Sequence, residues 1–203
     1  MKEDLFRKIY KDLFEIFPPE TNDPRFSYTK RTWIFPNHLD IVIQFAGELA
    51  KKYEANAEIC LLAALLHDAG LAYKRESADP TGHEERSVEY ANKFLPQYGY
   101  DKKTKDSVIG CIRATELTVE PKTLEEKTVR TSDALAHILS VHYFAKVSFS
   151  PDWESGIQFL DNKVEKDWRK ICFNEEREMV RPVYEYLNRI ISQYRNKKPT
   201  PIS

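Results

Sequence analysis

Four residues in this sequence stand out as candidate ligands for a metal ion: His38, the adjacent pair His67-Asp68, and Asp133. Two imidazoles and two carboxylates make a mixed, borderline-hard donor set. Such a set suits Mn, Fe, Co, Ni, Zn or Mg, and differs from the thiolate-rich ligands of a closed structural zinc site. Each residue also has a plainer reading. A lone histidine on an apolar helix face is commonly a satisfied core residue, and a His-Asp dipeptide can simply end a helix. Asp133 lies among Val129, Ala134, Leu135 and Ile138, where an unpaired carboxylate would cost several kcal/mol, so it needs a partner. Arg130, one turn earlier, is the plain candidate for that partner, and a cation is the sharper one.

The elements that must position these residues are helices. Between Ala57 and Leu66 only Glu58 is charged or strongly polar, so this segment reads as a helix buried on all sides. It ends in His67-Asp68. Adjacent side chains on a regular helix diverge by roughly 100°, so the pair meets at one ion most easily where the helix frays. Gly70 is expected to close it with a positive φ. Upstream, Asn37-His38-Leu39-Asp40 reads as a helix start with Asn37 as N-cap and Asp40 at N3. His38 then shares a face with Ile41, Val42 and Phe45. Thr81 and Glu84 match a capping box, which puts His83 in a first helical turn facing inward, and Thr123 and Glu126 match a second. The helix begun at Thr123 is expected to reach Ala145, with Arg130, Asp133, His137 and Val141 along one stripe. His137 reads as structural, and His142 as surface or core.

The rest of the chain supports an all-α reading. Residues 2–17 form an amphipathic helix stopped by Pro18 and Pro19. Residues 20–36 read as a long ordered loop carrying Arg25, Lys30 and Arg31. Residues 72–82 read as a polar loop in which Lys74, Arg75, Glu76 and Asp79 are mostly solvated. Asp101 opens a helix that runs to Thr115. Ser150-Pro151-Asp152 reads as a further start with Ser150 as N-cap. A last helix contains Pro182 as a kink, and residues 196–203 form a frayed tail. No repeat, strand alternation or Gly-rich phosphate loop occurs.

Composition bounds the function. With 203 residues, 41% hydrophobic and 31% charged, the chain fits one globular domain over residues 1–203. Its 31 basic and 32 acidic residues give a net charge of −1, which offers no electrostatic case for nucleic acid or an anionic membrane. Cys60, Cys111 and Cys172 are widely spaced and read as small core residues in a reducing compartment. The longest apolar run is far short of a membrane span, and the N-terminus lacks an apolar leader. A soluble cytoplasmic protein is expected.

The order His38, His67-Asp68, Asp133, and the text around it (N-H-L-D-I-V, L-L-A-A-L-L-H-D-A-G and T-S-D-A-L-A), resembles the HD-domain superfamily of metal-dependent phosphohydrolases over about residues 30–145. The resemblance implies that His38, His67, Asp68 and Asp133 ligate one divalent cation, which activates water and polarises a phosphoryl group. Asp68, His83 and Arg130 then carry the catalytic roles, with His83 behind the ligands or donating a proton to the leaving oxygen. The family's dinuclear branch adds two histidines. His83 matches the first, but Thr115 stands where the second would fall, which favours a single metal. Arg130, Lys74, Arg113 and Arg31 are candidates for the cationic wall around a substrate phosphate. A nucleotide or another small phosphate ester is the implied substrate, with Tyr73 or Trp33 available to stack on a base. The alternative is a non-catalytic module that binds metal or nucleotide in a signalling or regulatory role. A homo-oligomer stays open.

Overall fold

The computed structural model describes residues 3–19, 29–77 and 80–194. Arg25, Asp79 and the expected tail at 196–203 lie outside them. Among the described residues every regular element is a helix. The α-helices are α1 (Glu3–Ile16), α2 (Arg31–Ile34), α3 (Asp40–Lys52), α4 (Ala57–Leu66) and α5 (His83–Phe94), followed by α6 (Lys102–Ala114), α7 (Leu124–Ile138), α8 (His142–Ser148), α9 (Trp153–Lys170) and α10 (Asn174–Tyr194).

Helix α4 is the post on which the others lean. Asn56 caps it by accepting from Ile59 N, and Leu62, Ala63, Ala64, Leu65 and Leu66 are all at most 1% exposed. Burial of each such leucine stabilises the fold by about 1.5–3 kcal/mol. Helices α3, α6 and α7 pack around α4, with α1 and α5 completing the same core. A second core lies where α8, α9 and α10 meet the far end of α7. No described helix is long and apolar enough to cross a membrane.

Several helix boundaries differ from the sequence expectation. The stretch before His38 is helical from Arg31, and Asn37 caps nothing. Helix α2 passes through a five-residue π turn, Phe35–Leu39, into α3, where Asp40 N–H reaches Phe35 O. Pro36 has no N–H to give to the ladder, which loosens the helix at this point. The side chain of Asn37 donates back to Trp33 O. Phe35 anchors the turn by packing edge-on against Tyr10, Phe14 and Phe17. The box at Thr123 forms as expected, but the one at Thr81 does not. There Gly82, at φ +75°, is the N-cap, and Thr81 O accepts from Arg86 instead.

Helix α7 stops at Ile138 rather than Ala145, because Ser140 Oγ takes the N–H of His142 and opens α8. At the next start Asp152, not Ser150, is the cap, accepting from Ser155 N. Helix α10 continues through Pro182. Arg75, expected in solvent, is buried against Thr29 Oγ1 and Leu71 O. Cys60 and Cys111 are buried, and burial first of all pushes their thiols up.

Candidate metal centre

Two α-helices, α4 and α7, and the π turn before α3 bring the four expected ligands together. His38 comes from the π turn, Asp133 from the middle of α7, and His67 is the C-cap of α4. Asp68 has already left the helical conformation (φ −105°, ψ 9°), which lets it point where an adjacent helical residue would not. His38 Nε2 lies 3.2 Å from His67 Nε2, 3.2 Å from Asp68 Oδ2 and 3.5 Å from Asp133 Oδ1. His67 Nε2 is 3.6 Å from Asp68 Oδ1 and 3.6 Å from Asp133 Oδ1. All four residues are buried.

These separations are those of neighbouring ligands around an ion held at about 2.0–2.2 Å. His67 donates Nδ1–H to Ala64 O at 2.8 Å, leaving the Nε2 lone pair for the cluster. Four acceptor-type atoms this close in a buried place need positive charge among them. Without a metal, protons would supply it. Burial opposes charge on His67, but Asp68 and Asp133 outweigh burial and raise its pKa to about 9. Burial likewise works against charge on Asp68 and Asp133. His67 and His38 overcome it at Asp68, and Lys170 at Asp133, so both stay well below the usual carboxylate range. The residues therefore fit a divalent cation.

Gly70 serves this centre differently from the sequence expectation. Its φ is not positive; it sits in a 3₁₀ turn, Ala69–Leu71. A Cβ there would lie 2.0 Å from His83 O and 2.8 Å from Ser87 N, so only glycine lets the start of α5 approach this closely. Ser87 Oγ accepts Gly70 N–H, and Arg86 Nε donates to Gly70 O. This docking brings His83 Nε2 to 3.4 Å from Asp68 Oδ1. Burial disfavours its charged form, but Asp68 prevails and raises its pKa.

The centre opens into a cavity of about 320 Å³. Thr115 lines it, with its hydroxyl given to Ile112 O. The arginines and lysine expected on the cationic wall are not among the lining residues. Arg31 is tied to Glu15 and Phe17 O, Lys74 to Glu89, and Arg113 to Glu85. Arg130 does not bridge Asp133. Its guanidinium donates to Glu116 O at 2.7 Å, holding the cavity wall from behind. Tyr73 packs edge-on against Tyr90 and Phe94, and Trp33 lies beside His142.

The cations of the cavity are instead Lys146 from α8 and Lys163, Lys166 and Lys170 from α9. Lys170 is the partner of Asp133, with Nζ 3.0 Å from Oδ2, and Asp133 prevails over burial to raise its pKa to about 12. Burial, with Lys163 and Arg75 adding repulsion, lowers Lys146 to about 7. His137 and His142 also line the cavity, and the His137 ring stacks on His38 at 4.5 Å. Burial and Lys163 lower His137 to about 4. Burial and His137 lower His142 well below its usual value. Sequence reasoning missed these groups. The 163, 166, 170 spacing, which puts three lysines on one helix face, was the available signal.

The chain belongs to the HD domain family, whose sequence model matches residues 37–138. Solved structures of similar fold include a predicted HD superfamily hydrolase from an uncultured Thermotogales bacterium. That protein is 22% identical at a TM-score of 0.62, over 93% of this chain and 90% of its own. Another is YpgQ of Bacillus subtilis in complex with ADP, at 18% identity, TM-score 0.63, and 97% and 96% coverage. A third is a Lactobacillus plantarum protein at 16% identity, TM-score 0.65, and 95% and 96% coverage. No curated protein sequence matches the chain.

Proposed function

We propose that this protein is a metal-dependent phosphohydrolase acting on a nucleotide or another small phosphate ester. The observation that carries the reading is a buried four-donor cluster, three of whose members (His67, Asp68 and Asp133) line a cavity that lysines also line. His38, His67, Asp68 and Asp133 would hold one divalent cation. When bound, that ion supplies Lewis acidity and lowers the pKa of a water to make a nucleophile.

The chain's own groups do the rest. Lys170 occupies Asp133 Oδ2 and leaves Oδ1 for the cation. Lys146, Lys163 and Lys166 offer charge to a phosphate, and an anion beside Lys146 would favour its protonated form. His83, its proton retained by Asp68, is placed to give that proton to a leaving oxygen. Phe159 supplies an apolar face on the same wall. The ADP complex of YpgQ supports the nucleotide class, as does this aromatic among lysines.

The test is a hydrolysis screen of phosphate esters, including nucleoside mono-, di- and triphosphates, with Mn, Co or Mg added after chelation. Turnover that vanishes with chelator and returns with metal is expected. Metal and nucleotide bound without turnover would make the protein a non-catalytic binding module instead.

A further inference from the structure

His137 is the fifth ionisable side chain of this centre, and its hydrogen bonds differ from those of the four expected ligands. Its Nδ1 has Lys163 Nζ at 3.0 Å, Asp167 Oδ2 at 3.4 Å and Asp133 Oδ1 at 3.5 Å. Lys163 is itself fastened to Asp167 Oδ1 at 2.6 Å, and Asp167 Oδ2 accepts from Tyr143 OH at 2.8 Å. Asp167 is fully buried and Tyr143 nearly so, which fixes this framework in the second core.

An ammonium has three donors and no acceptor. At 3.0 Å from Lys163, Nδ1 must therefore be the acceptor, and the ring's single proton is on Nε2. The two carboxylate oxygens lie beyond normal N–H···O length, and the nearer one is already served by Tyr143. Stacking on His38, at 10° between planes, holds the ring in place. A protonated Nε2 has no lone pair for a metal. Among the described residues no acceptor takes this proton, although His137 lines the cavity.

We propose that His137 is a neutral phosphate-binding donor, kept by Lys163 in the tautomer that presents Nε2–H to an anionic oxygen in the cavity. The proposal rests on the phosphate-ester reading above. It adds a recognition group that is neither a metal ligand nor a lysine, and it gives Lys163 and Asp167 a positioning role.

Nitrogen-15 NMR of the histidine rings in the Zn-loaded full chain, titrated with inorganic phosphate, tests it. Wild type is expected to show His137 protonated at Nε2, and phosphate to shift that signal. Lys163→Met should move the proton to Nδ1, facing Asp167, while Lys163→Arg should not. His137→Phe should weaken phosphate binding about tenfold, the effect of one lost hydrogen bond to a charged group, with bound metal unchanged. His137→Gln serves if the phenylalanine variant fails to fold.

A wild-type Nδ1–H tautomer overturns the proposal. So does phosphate that shifts other cavity signals but not His137, or metal lost from His137→Phe. If phosphate moves no cavity signal while the Nε2–H tautomer is present, the phosphate-ester reading fails and takes this one with it.

Discussion

The two walls of the cavity are built on different physical principles. The candidate ligands of the first wall lie wholly within the matched residues 37–138, on short side chains held by buried elements. Their positions follow from backbone devices: a π turn at His38, a helix end at His67-Asp68, and a close approach at Gly70. The lysine wall comes from α8 and α9, beyond residue 138. Its charges ride on long stems, from the well-covered Lys170 to the exposed Lys166. The first wall places its donors through the backbone, whereas the second places charge at the ends of long side chains, of which Lys163 and Lys170 are held by carboxylates and Lys166 is exposed.

Removing a donor from the rigid wall should have the largest effect. His67→Ala is expected to lose bound metal and lower kcat/KM by more than the 10–100-fold typical of groups that merely support a ligand. Near-normal metal content and turnover in this variant would erase the distinction between the walls.

Lys170 belongs to both walls, because it extends from α9 and holds the candidate ligand Asp133. Lys170→Met should weaken metal affinity by about 10–100-fold, measured by competition with a chelator, since Asp133 Oδ2 is left without its partner. Unchanged affinity would place Lys170 with the substrate-facing lysines alone.

Lys166 is the exposed extreme of the second wall. Lys166→Ala should raise KM a few-fold with kcat kept, and the difference should shrink as salt rises, as for screened surface charges. A fall in kcat would show that this lysine acts in the transition state rather than in attraction.

The last effect is read in stability rather than in kinetics, at the joint between α3 and α10. Glu176 of α10 is buried and binds Lys52 at 2.6 Å and the hydroxyl of Tyr53, both at the end of α3. Burial opposes its charge, but Lys52 and Tyr53 prevail and lower its pKa below the ordinary 4.5. A depressed folded-state pKa means that its stabilisation is complete above pH 4.5 and is lost as pH falls through the folded value. Glu176→Gln should cost about 1–3 kcal/mol at neutral pH, and the difference from wild type should close in acid. Equal melting temperatures of both proteins at pH 7 would remove this joint.

What could be read from the sequence divides along the same line. The apolar run of α4, the inward histidines and Asp133 follow from local periodicity, and the structure gathers His38, His67, Asp68 and Asp133 into one cluster. The box at Thr123 is local in the same sense. Asn37 and Thr81 looked like caps, but tertiary packing of Phe35 and the close contact at Gly70 decided those boundaries. The cationic wall was legible only in part. Arg130 and Asp133 share a stripe, yet Lys170, 37 residues on, reaches the carboxylate. His142 turned into the cavity because Ser140 ended α7 early, an outcome carried by one hydroxyl.

Elemental analysis of the purified chain, read together with phosphate-ester turnover, tests the metal-dependent chemistry most directly. One divalent ion per chain is expected, none after chelation, and activity that tracks the ion through removal and return. Hydrolysis by metal-free protein, or an ion that stays bound when Asp68 and Asp133 are both replaced by alanine, would contradict this chemistry.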